Sequence, residues 1–465
     1  MIRLFGHYIP SKLLLLFAIE ALALFASIYA GVAVRFYDQS HDSSIVPHDL
    51  AWPAASFAIV TLMFMTAFGL YSADLPQGAA GMAVRLIVAF VIGIAGMSFV
   101  FYLVPDLYVG RGAFGLSWAM ALIAVFLLRI AFFRWTRVGM FDHRILVLGT
   151  GTRAVNVDLL TSRSYAATNL HVVGFLPLAA TQHHVQPARI LPGQTSVLEA
   201  VRKYAVNEII IAVRDRRGGG LPMDELLQCK LSGVKVTELS SFYERERGQL
   251  RIDSMNASWL VFGEGFRLNQ VREMVKRAFD VSVSLLLLLC ALPVMVITAI
   301  LILVEDGRPI FYRQERVGQR SETFHVLKFR SMGTDAEKDG KPRWATAKDD
   351  RTTRVGRVIR KIRVDELPQI INVLRGEMSF VGPRPERPFF VNELATKIPY
   401  YNARHSIKPG ITGWAQVRYP YGASIEDALE KLQYDLYYVK NHTLFLDIMI
   451  MFETVQVVLW GKGSR

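Results

Sequence analysis

Hydrophobic residues gather into long runs near the start of the chain, and polar residues separate these runs. Four such runs come first, at residues 13–34, 52–70, 84–104 and 114–135. Each is long enough to cross a bilayer as a helix. Asp38 and Asp42 lie between the first two runs, whereas the fourth ends with Arg134 and Arg137. Because basic residues stay on the cytoplasmic side, both ends of this predicted four-helix transmembrane bundle, residues 1–142, face the cytoplasm.

Residues 143–239 change to short apolar segments that alternate with helical periodicity. Strands are predicted at residues 145–148, 171–176, 208–213 and 234–239, and helices at residues 196–204 and 223–231. This order predicts a Rossmann-like α/β module, with Gly149, Gly151 and Ala154 at the turn that would bind a dinucleotide. The acid that would hold the ribose is absent after the second predicted strand. The pattern therefore favours a structural or regulatory module over an NAD site.

A fifth apolar run, residues 281–304, follows a polar linker at residues 240–271. Pro293 stands near its middle, where a proline removes a backbone hydrogen bond and bends a helix. Two courses are open, because the segment could span the bilayer as a kinked helix or turn back at Pro293 as a re-entrant helix. The many Arg and Lys residues after Arg308 favour the re-entrant course, which keeps residues 272–465 in the cytoplasm.

Composition supports a membrane protein and limits the classes of partner. Hydrophobic residues make up 52% of the 465-residue chain, and the mean hydropathy is +0.28. Both values are high for a soluble protein. The formal net charge of +13 could indicate nucleic-acid binding, but no nucleic-acid-binding motif is present in the sequence. An anionic phospholipid membrane and phosphorylated substrates are the partners that this charge favours. Cys229 and Cys290 predict neither a disulfide framework nor a metal site.

A pair of adjacent acids, Asp365 and Glu366, stands among arginines and lysines. Asp365 occupies the position of a helix N-cap, Pro368 falls in the first turn, and Gly376 can end the helix. An Asp-Glu pair at a helix start usually only caps it. Here the surrounding cations would hold a carboxylate ionised and bind a phosphate beside it. These cations are Arg351, Arg354, Arg357, Arg360, Lys361, Arg363, Arg384 and Arg387.

Three further segments carry basic or amphipathic patterns. Residues 324–332 alternate like a strand, which puts Lys328 and Arg330 on one face. Residues 354–363 repeat arginines at helical spacing, which suits either a membrane surface or a substrate site. Residues 444–460 are apolar but carry acids, which predicts an interfacial or packed helix rather than a span.

The C-terminal region, from about residue 272, resembles the monotopic phosphoglycosyl transferases, bacterial sugar transferases that move a sugar phosphate onto a polyprenyl phosphate. The motifs are Lys276-Arg277 with Asp280, Lys328-Phe329-Arg330-Ser331-Met332, Asp365-Glu366-Leu367-Pro368-Gln369, Gly382-Pro383-Arg384-Pro385 and Pro409-Gly410-Ile411-Thr412-Gly413-Trp414. The spans and the α/β module resemble the large, exopolysaccharide-initiating members, and residues 418–424 resemble the exosortase-associated subgroup. Where the family often has Ser-Pro at the membrane bend, this chain has Leu292-Pro293, so the bend must depend on the proline and on packing.

This resemblance implies a reaction in two steps at the cytoplasmic face of the bacterial inner membrane. Asp365 attacks the phosphate of a UDP-sugar, UMP leaves, and undecaprenyl phosphate then takes the hexose-1-phosphate. The large members favour glucose as the sugar, and a homo-oligomer is compatible with the sequence. Mg²⁺ is expected near Asp365 and Glu366, with Asp435 as a weaker candidate site residue. The substrate phosphates are expected at Lys328, Arg330, Arg354, Arg384 and Lys408.

Two other functions remain open. A membrane-tethered nucleotide-sugar dehydratase or epimerase would place its chemistry in the α/β module. That module lacks both the ribose-binding acid and a Tyr-x-x-x-Lys pair. A non-enzymatic scaffold of a polysaccharide assembly complex would explain the spans but not an aspartate among arginines.

Overall fold

The computed structural model describes most of the chain, and its contacts divide the chain into two compact units. The described residues are 1–37, 49–72, 79–136, 143–163, 170–178, 183–192, 195–213, 221–254, 265–266, 269–333, 351–420, 422 and 424–460. Asp38, Asp42, Arg137, parts of the predicted linker and parts of the 418–424 motif lie outside them. The first unit holds residues 8–246 with residues 1–3, and the second holds residues 247–465 with residues 4–7.

Apolar helices form the first part of the first unit. After two short strands, β1 (Ile2–Leu4) and β2 (His7–Ile9), come α1 (Ser11–Arg35), α2 (Ala51–Ala67), α3 (Ala79–Leu103) and α4 (Arg111–Thr136). Helices α1, α3 and α4 are long and apolar enough to cross a membrane, whereas α2 has 17 residues. That is about 26 Å of helix against a hydrocarbon core of about 30 Å. The helix ends before residue 70, so the span predicted at residues 52–70 is too long. Gly69 takes a positive φ of 79°, and Leu70 is buried beyond the helix end.

Two close contacts hold α1 against α4. A Cβ on Gly31 of α1 would lie 2.1 Å from the Oγ of Ser117 in α4, so only a glycine lets the backbones approach this closely. Glu20 of α1 and Arg129 of α4 form a fully buried ion pair, with 2.7 Å between Oε1 and Nε. Tyr71 donates a hydrogen bond to the same glutamate. Buried charges are tolerated only when paired, so this contact fixes how the two helices pack.

The α/β module is a parallel sheet with helices on both faces. Its elements are β3 (His143–Leu148), α5 (Thr152–Arg163), β4 (Leu170–Leu176), α6 (Val197–Tyr204), β5 (Glu208–Ile211), α7 (Met223–Leu231), β6 (Lys235–Glu238) and α8 (Leu239–Arg247). The strand order is β4-β3-β5-β6. Ile145 and Val147 pack against α5 and α8, while Leu146 and Leu148 pack against α6 and α7, which explains the continuous apolar strand. The predicted strands and helices are found within a few residues, and α8 occupies the start of the predicted linker.

The second unit is mainly helical and carries one long apolar helix. Helix α9 (Gln270–Asp306) contains the fifth apolar run and Pro293 in 37 residues, and it is long and apolar enough to cross a membrane. The other elements are β7 (Phe311–Val317), β8 (Thr323–Phe329), α10 (Arg354–Lys361), α11 (Gln369–Arg375), β9 (Ser379–Val381), α12 (Pro388–Lys397), β10 (Gly410–Thr412), α13 (Trp414–Arg418), α14 (Ile425–Asn441) and α15 (Leu444–Trp460). Strands β7 and β8 pair antiparallel, and β9 pairs in parallel with β10. A core around Trp414, Tyr437 and Leu446 includes α15, so residues 444–460 form a partly packed helix as predicted.

Candidate active site

The acid pair lies in a short 3₁₀ turn, Val364–Glu366, between α10 and α11. The flanking Val364 and Leu367 pack into an apolar cluster with Phe329 of β8 and residues of α9. Arg363 has a φ of 60°, in the left-handed region, and this redirects the chain after α10. The apolar flanks thus anchor the turn, and the two acids occupy its remaining faces.

Asp365 does not cap a helix, so the predicted N-cap is wrong. Helix α11 begins at Gln369 after Pro368, and no side chain of the described residues caps it. Its C-terminal end is as predicted, since Gly376 has a φ of 86°. The Oδ1 atom of Asp365 is buried and has no hydrogen-bond partner in the described part of the chain. Because Pro368 already fixes the start of the helix, this oxygen is not consumed by capping.

Glu366, by contrast, is bound by cations at one oxygen. Its Oε1 atom lies 2.7 Å from Nη2 of Arg384, 3.1 Å from Nζ of Lys328 and 3.8 Å from Nη1 of Arg363. Burial alone would raise the pKa of Glu366, but Arg384 and Lys328 hold that pKa well below its usual range. Glu366 is therefore an anion at neutral pH, and it gathers these cations next to Asp365.

The pKa of Asp365 is shifted in the opposite direction. Burial raises it above the usual aspartate range and the Glu366 carboxylate adds to the rise, although Lys328 and Arg363 oppose it. Among the described residues, Asp365 has no ion-pair partner of its own, so the cations do not outweigh burial. The expectation that nearby cations depress this pKa is therefore met by Glu366 and not by Asp365.

Strand alternation presents Lys328 to the acid pair. Leu327 and Phe329 on either side are buried in the core, so Lys328 points to the opposite face of β8. Asn372 of α11 fixes this strand: its Oδ1 accepts a hydrogen bond from the backbone N–H of Leu327 at 3.0 Å, and its Nδ2 donates to the carbonyl oxygen of His325 at 2.8 Å. Asn372 was not among the predicted site residues. An asparagine inside the apolar pattern of a short helix was the available signal.

Arg330 does not reach the acid pair, although the strand pattern put it beside Lys328. Its Nη2 atom donates to the carbonyl oxygens of Asp306 and Gly307 at 2.8 and 2.9 Å and pairs with the Asp306 carboxylate at 3.2 Å. Strand β8 ends one residue earlier, at Phe329, so alternation no longer governs this side chain. Arg330 therefore stabilises the C-terminal end of α9, where the last carbonyl groups lack helical partners.

Two further predicted cations, Arg354 and Lys408, form no ion pair with either acid within the described ranges. Arg354 begins α10, and its backbone N–H donates a hydrogen bond to Glu305 of α9 at 2.7 Å. Lys408 lies near the start of α9, because a Cβ on Gly376 would stand 3.6 Å from both its Nζ and the Nη2 of Arg277. Both residues border the long helix rather than the acid pair.

Asp435 is connected to the site through Arg404, a residue that the motifs did not single out. Arg404 pairs with Asp435 at 2.8 Å and donates a hydrogen bond to the backbone carbonyl oxygen of Arg384 at 2.9 Å. Both members of this ion pair are buried. The pair therefore holds the loop that carries Arg384, and no local sequence pattern connects these three residues.

The two acids meet part of what Mg²⁺ requires. In phosphoryl-transfer sites this ion usually binds one or two carboxylates together with substrate phosphates and water. Lys328 and Arg384 both bind Oε1 of Glu366, which leaves Oε2 available, and Oδ1 of Asp365 has no partner among the described residues. The described residues include no group of three His, Cys, Asp or Glu side chains that could hold a metal without a substrate. The donor set thus fits an ion shared with a substrate phosphate.

The cation-bound acid pair and the long apolar helix are features of a membrane-associated enzyme that handles charged substrates. A family model described as bacterial sugar transferase matches residues 271–461, a range that contains every predicted site residue. A second model, described as a CoA-binding domain, matches residues 66–218.

The chain belongs to the bacterial sugar transferase family, which confirms the resemblance seen in its motifs. It is 39% identical over 269 residues to the UDP-N-acetylgalactosamine-undecaprenyl-phosphate N-acetylgalactosaminephosphotransferase of Aeromonas hydrophila, with 58% of this chain and 62% of that protein covered. It is 40% identical over 194 residues to the undecaprenyl-phosphate glucose phosphotransferase of Komagataeibacter xylinus, with 41% of this chain and 36% of that protein covered. It is 39% identical over 196 residues to the uncharacterized sugar transferase EpsL of Bacillus subtilis (strain 168), with 41% of this chain and 91% of that protein covered. The chain thus spans less than two thirds of the first two relatives.

Proposed function

We propose that this protein transfers a hexose-1-phosphate from a UDP-sugar to undecaprenyl phosphate through an intermediate on Asp365, with release of UMP. The observation that carries the proposal is the buried Oδ1 of Asp365, which has no hydrogen-bond partner among the described residues, next to a Glu366 that is held by Arg384 and Lys328. A nucleophile needs an available oxygen, which Asp365 supplies, and a phosphate needs nearby cations, which Lys328 and Arg384 supply. The names of two relatives, which act on undecaprenyl phosphate, support the acceptor.

In the first step, Oδ1 of Asp365 attacks the phosphorus that bears the sugar, and the bond from that phosphorus to the UMP oxygen breaks. The bonding electrons leave with UMP, and an acyl phosphate carrying the sugar remains on Asp365. Burial raises the pKa of Asp365, so its carboxylate is poorly solvated and gains by bonding to phosphorus. Lys328 and Arg384 are placed to bind the phosphate oxygens, because both already converge on Glu366.

In the second step, a phosphate oxygen of undecaprenyl phosphate attacks the same phosphorus, and the carboxylate of Asp365 leaves. The product is a sugar joined to the lipid through a diphosphate, and Asp365 returns to its initial state. A phosphate monoester is already an anion at neutral pH, so the step requires charge neutralisation and alignment more than a general base.

Mg²⁺ is the cofactor that we propose for this site, with Glu366 and Asp365 as its protein ligands alongside phosphate oxygens. When bound, it would neutralise charge on the transferred phosphate. Lys328 and Arg384 would bind the same phosphate from the protein side.

Contacts at both ends of α9 support a re-entrant course. Near its start, Arg277 donates a hydrogen bond to the carbonyl oxygen of Leu374 in α11 at 2.7 Å, and near its end, Glu305 accepts one from Val355 in α10 at 2.9 Å. A helix that spanned the bilayer would place its two ends on opposite sides of a hydrocarbon core about 30 Å thick. One compact unit could not then contact both ends at these neighbouring helices. A turn at Pro293 would keep the acid pair on the cytoplasmic face of the bacterial inner membrane.

Release of UMP is the measurement that tests the proposed function. Membranes containing the full-length protein are incubated with undecaprenyl phosphate and either UDP-glucose or UDP-N-acetylgalactosamine, because the relatives' names divide between these two sugars. We expect UMP release with one of them, at a rate well above that of membranes without the protein. A dehydratase or epimerase would alter the sugar without releasing UMP, and a scaffold would do neither. Either of those results would refute the proposal.

A further inference from the structure

A cavity of about 400 Å³ lies at the start of α9, and its lining includes Met274, Lys276, Arg277, Ser379 and Lys408. Neither the acid-pair turn nor the cations that bind Glu366 contribute to this lining. The reaction proposed above therefore leaves the cavity without an assigned role.

Two cations converge in this cavity. The Nζ of Lys408 and the Nη2 of Arg277 each lie 3.6 Å from the point where a Cβ on Gly376 would stand, so the two nitrogens are at most 7.2 Å apart, twice 3.6 Å. Arg277 is held by the carbonyl oxygen of Leu374 at 2.7 Å. Lys408 makes no hydrogen bond or ion pair within the described residues. Like charges at this separation repel, and an anion bound between them would remove the repulsion.

Two carboxylates, Asp280 and Glu273, also line the cavity and offset part of this repulsion, but neither forms an ion pair with Lys408 among the described residues. Asp280 accepts a hydrogen bond from the backbone N–H of Phe380 at 3.1 Å, and Glu273 lies on the exposed first turn of α9. The third cation, Lys276, is already paired with Asp447 at 2.7 Å. Lys408 is thus the cation of this cavity that is placed to bind a ligand.

Ser379 is an independent sign of a ligand. Its side chain is fully buried, and its Oγ has no hydrogen-bond partner among the described residues. An unsatisfied buried hydroxyl costs free energy unless a ligand or water binds it. Its backbone N–H donates to the carbonyl oxygen of Pro409, the residue after Lys408, at 2.8 Å, and the cavity is lined by both Ser379 and Lys408. A phosphate oxygen could accept hydrogen bonds from both the hydroxyl and the ammonium group.

The position of the cavity along α9 favours a lipid as the source of such a phosphate. The charged first turns of the helix, residues 270–280, end where the apolar run at 281–304 begins, so a bilayer that holds the apolar run would place its headgroups beside the cavity. Met274 at the cavity and Val271 on the same helix face are 66% and 61% exposed. An acyl or prenyl chain would cover these side chains, whereas a soluble anion would not. We propose that the cavity binds the phosphate headgroup of a membrane lipid, with Lys408 and Ser379 as its ligands.

The test is a lipid titration of the full-length protein in detergent, followed by native mass spectrometry. Phosphatidylglycerol is the probe, and we expect a saturable lipid adduct whose affinity falls about tenfold in Lys408→Met and in Ser379→Ala. The matched control is Lys397→Met, which removes an exposed lysine of α12 and should leave the affinity unchanged. Ser379→Ala deletes an oxygen that has no protein partner among the described residues, so its thermal midpoint should stay at the wild-type value. Diacylglycerol, which lacks the phosphate, should not bind.

Competition identifies the lipid. Displacement of phosphatidylglycerol by undecaprenyl phosphate would support the proposal with the acceptor as occupant, and a lack of displacement would support it with a phospholipid as occupant. Equal affinity in wild type, Lys408→Met and Ser379→Ala would overturn it. Displacement by equimolar inorganic phosphate would also overturn it, because the site would then select a soluble anion. The outcome is separable from the proposed transfer, since the Asp365→Asn protein should bind the lipid as the wild type does.

Discussion

Arg404 donates a hydrogen bond to the backbone carbonyl oxygen of Arg384 at 2.9 Å, while its guanidinium group pairs with Asp435 at 2.8 Å. Arg384 in turn binds Glu366 at 2.7 Å. A buried ion pair anchored in α14 therefore sets the position of a cation at the acid pair. The alignment of Arg384 depends on residues that the sequence places far from it.

Replacing Arg404 should separate its contribution to folding stability from its effect on the position of Arg384. Arg404→Met leaves the Asp435 carboxylate buried without its partner, and we expect a loss of roughly 3–5 kcal/mol in the free energy of unfolding. Arg404→Met combined with Asp435→Leu should recover most of that stability, because a well-packed apolar pair replaces a buried ion pair at little cost. UMP release should stay low in the double variant, since the Arg384 carbonyl still lacks this donor. Thermal unfolding and UMP release in detergent check both parts, and full recovery of activity would show that Arg404 acts only in folding.

Asp365→Asn should abolish formation of the phosphosugar intermediate. The amide cannot attack phosphorus as a carboxylate does, yet it fits the same space and should leave expression and membrane insertion unchanged. Incubation with a radiolabelled UDP-sugar, without acceptor lipid, should label the wild-type protein and the control variant Glu393→Gln, which alters an exposed acid of α12. Equal labelling of Asp365→Asn and wild type would rule out Asp365 as the carrier.

The two acids should affect stability in opposite ways as the pH changes. Burial raises the folded-state pKa of Asp365, so ionising it costs stability as the pH rises from the usual aspartate value of about 3.9 to the raised value. Arg384 and Lys328 hold the pKa of Glu366 well below its usual range, so its contribution is present above about 4.3 and is lost as the pH falls toward the folded value. At pH 7, Asp365→Asn should therefore be more stable than wild type, and Glu366→Gln less stable. Thermal midpoints measured between about pH 3 and pH 8 check this: the Asp365→Asn difference should shrink as the pH falls toward about 3.9, whereas the Glu366→Gln difference should shrink only below about 4.3.

Reporter fusions should place both ends of α9 on the same side of the membrane. We expect fusions after Asn269 and after Gln319 to report a cytoplasmic location, because a re-entrant helix returns to the face from which it entered. A fusion after Leu50, between α1 and α2, is the control and should report the opposite side. A periplasmic signal at Gln319 would establish α9 as a span.

Local patterns predicted much of the fold but less of the site. Strand and helix periodicity located β3 to β6 and α6 and α7 within a few residues, because alternation and helical spacing depend on neighbours in the chain. The same reasoning extended α2 past Gly69, since an apolar residue such as Leu70 can be buried without being helical. The sequence predicted Asp365 as an N-cap, because it stands just before a helical pattern with Pro368 in its first turn. Only the backbone path through Arg363 and Pro368 shows that it caps no helix and that its Oδ1 atom has no hydrogen-bond partner in the described part of the chain.

The sequence by itself determined the long apolar helices α1, α3, α4 and α9, the parallel α/β module and the acid pair among cations, because each is specified by residues that are close together in the chain. Tertiary structure alone decided which cations serve the acids: Lys328 and Arg384 bind Glu366, whereas Arg330 holds the end of α9 and Lys408 lines a separate cavity. It also showed that Arg404 holds the loop of Arg384 and that Asn372 holds strand β8. The physical reason is that ion pairs and buried hydrogen bonds join residues that only folding brings together, and no spacing along the chain encodes those distances.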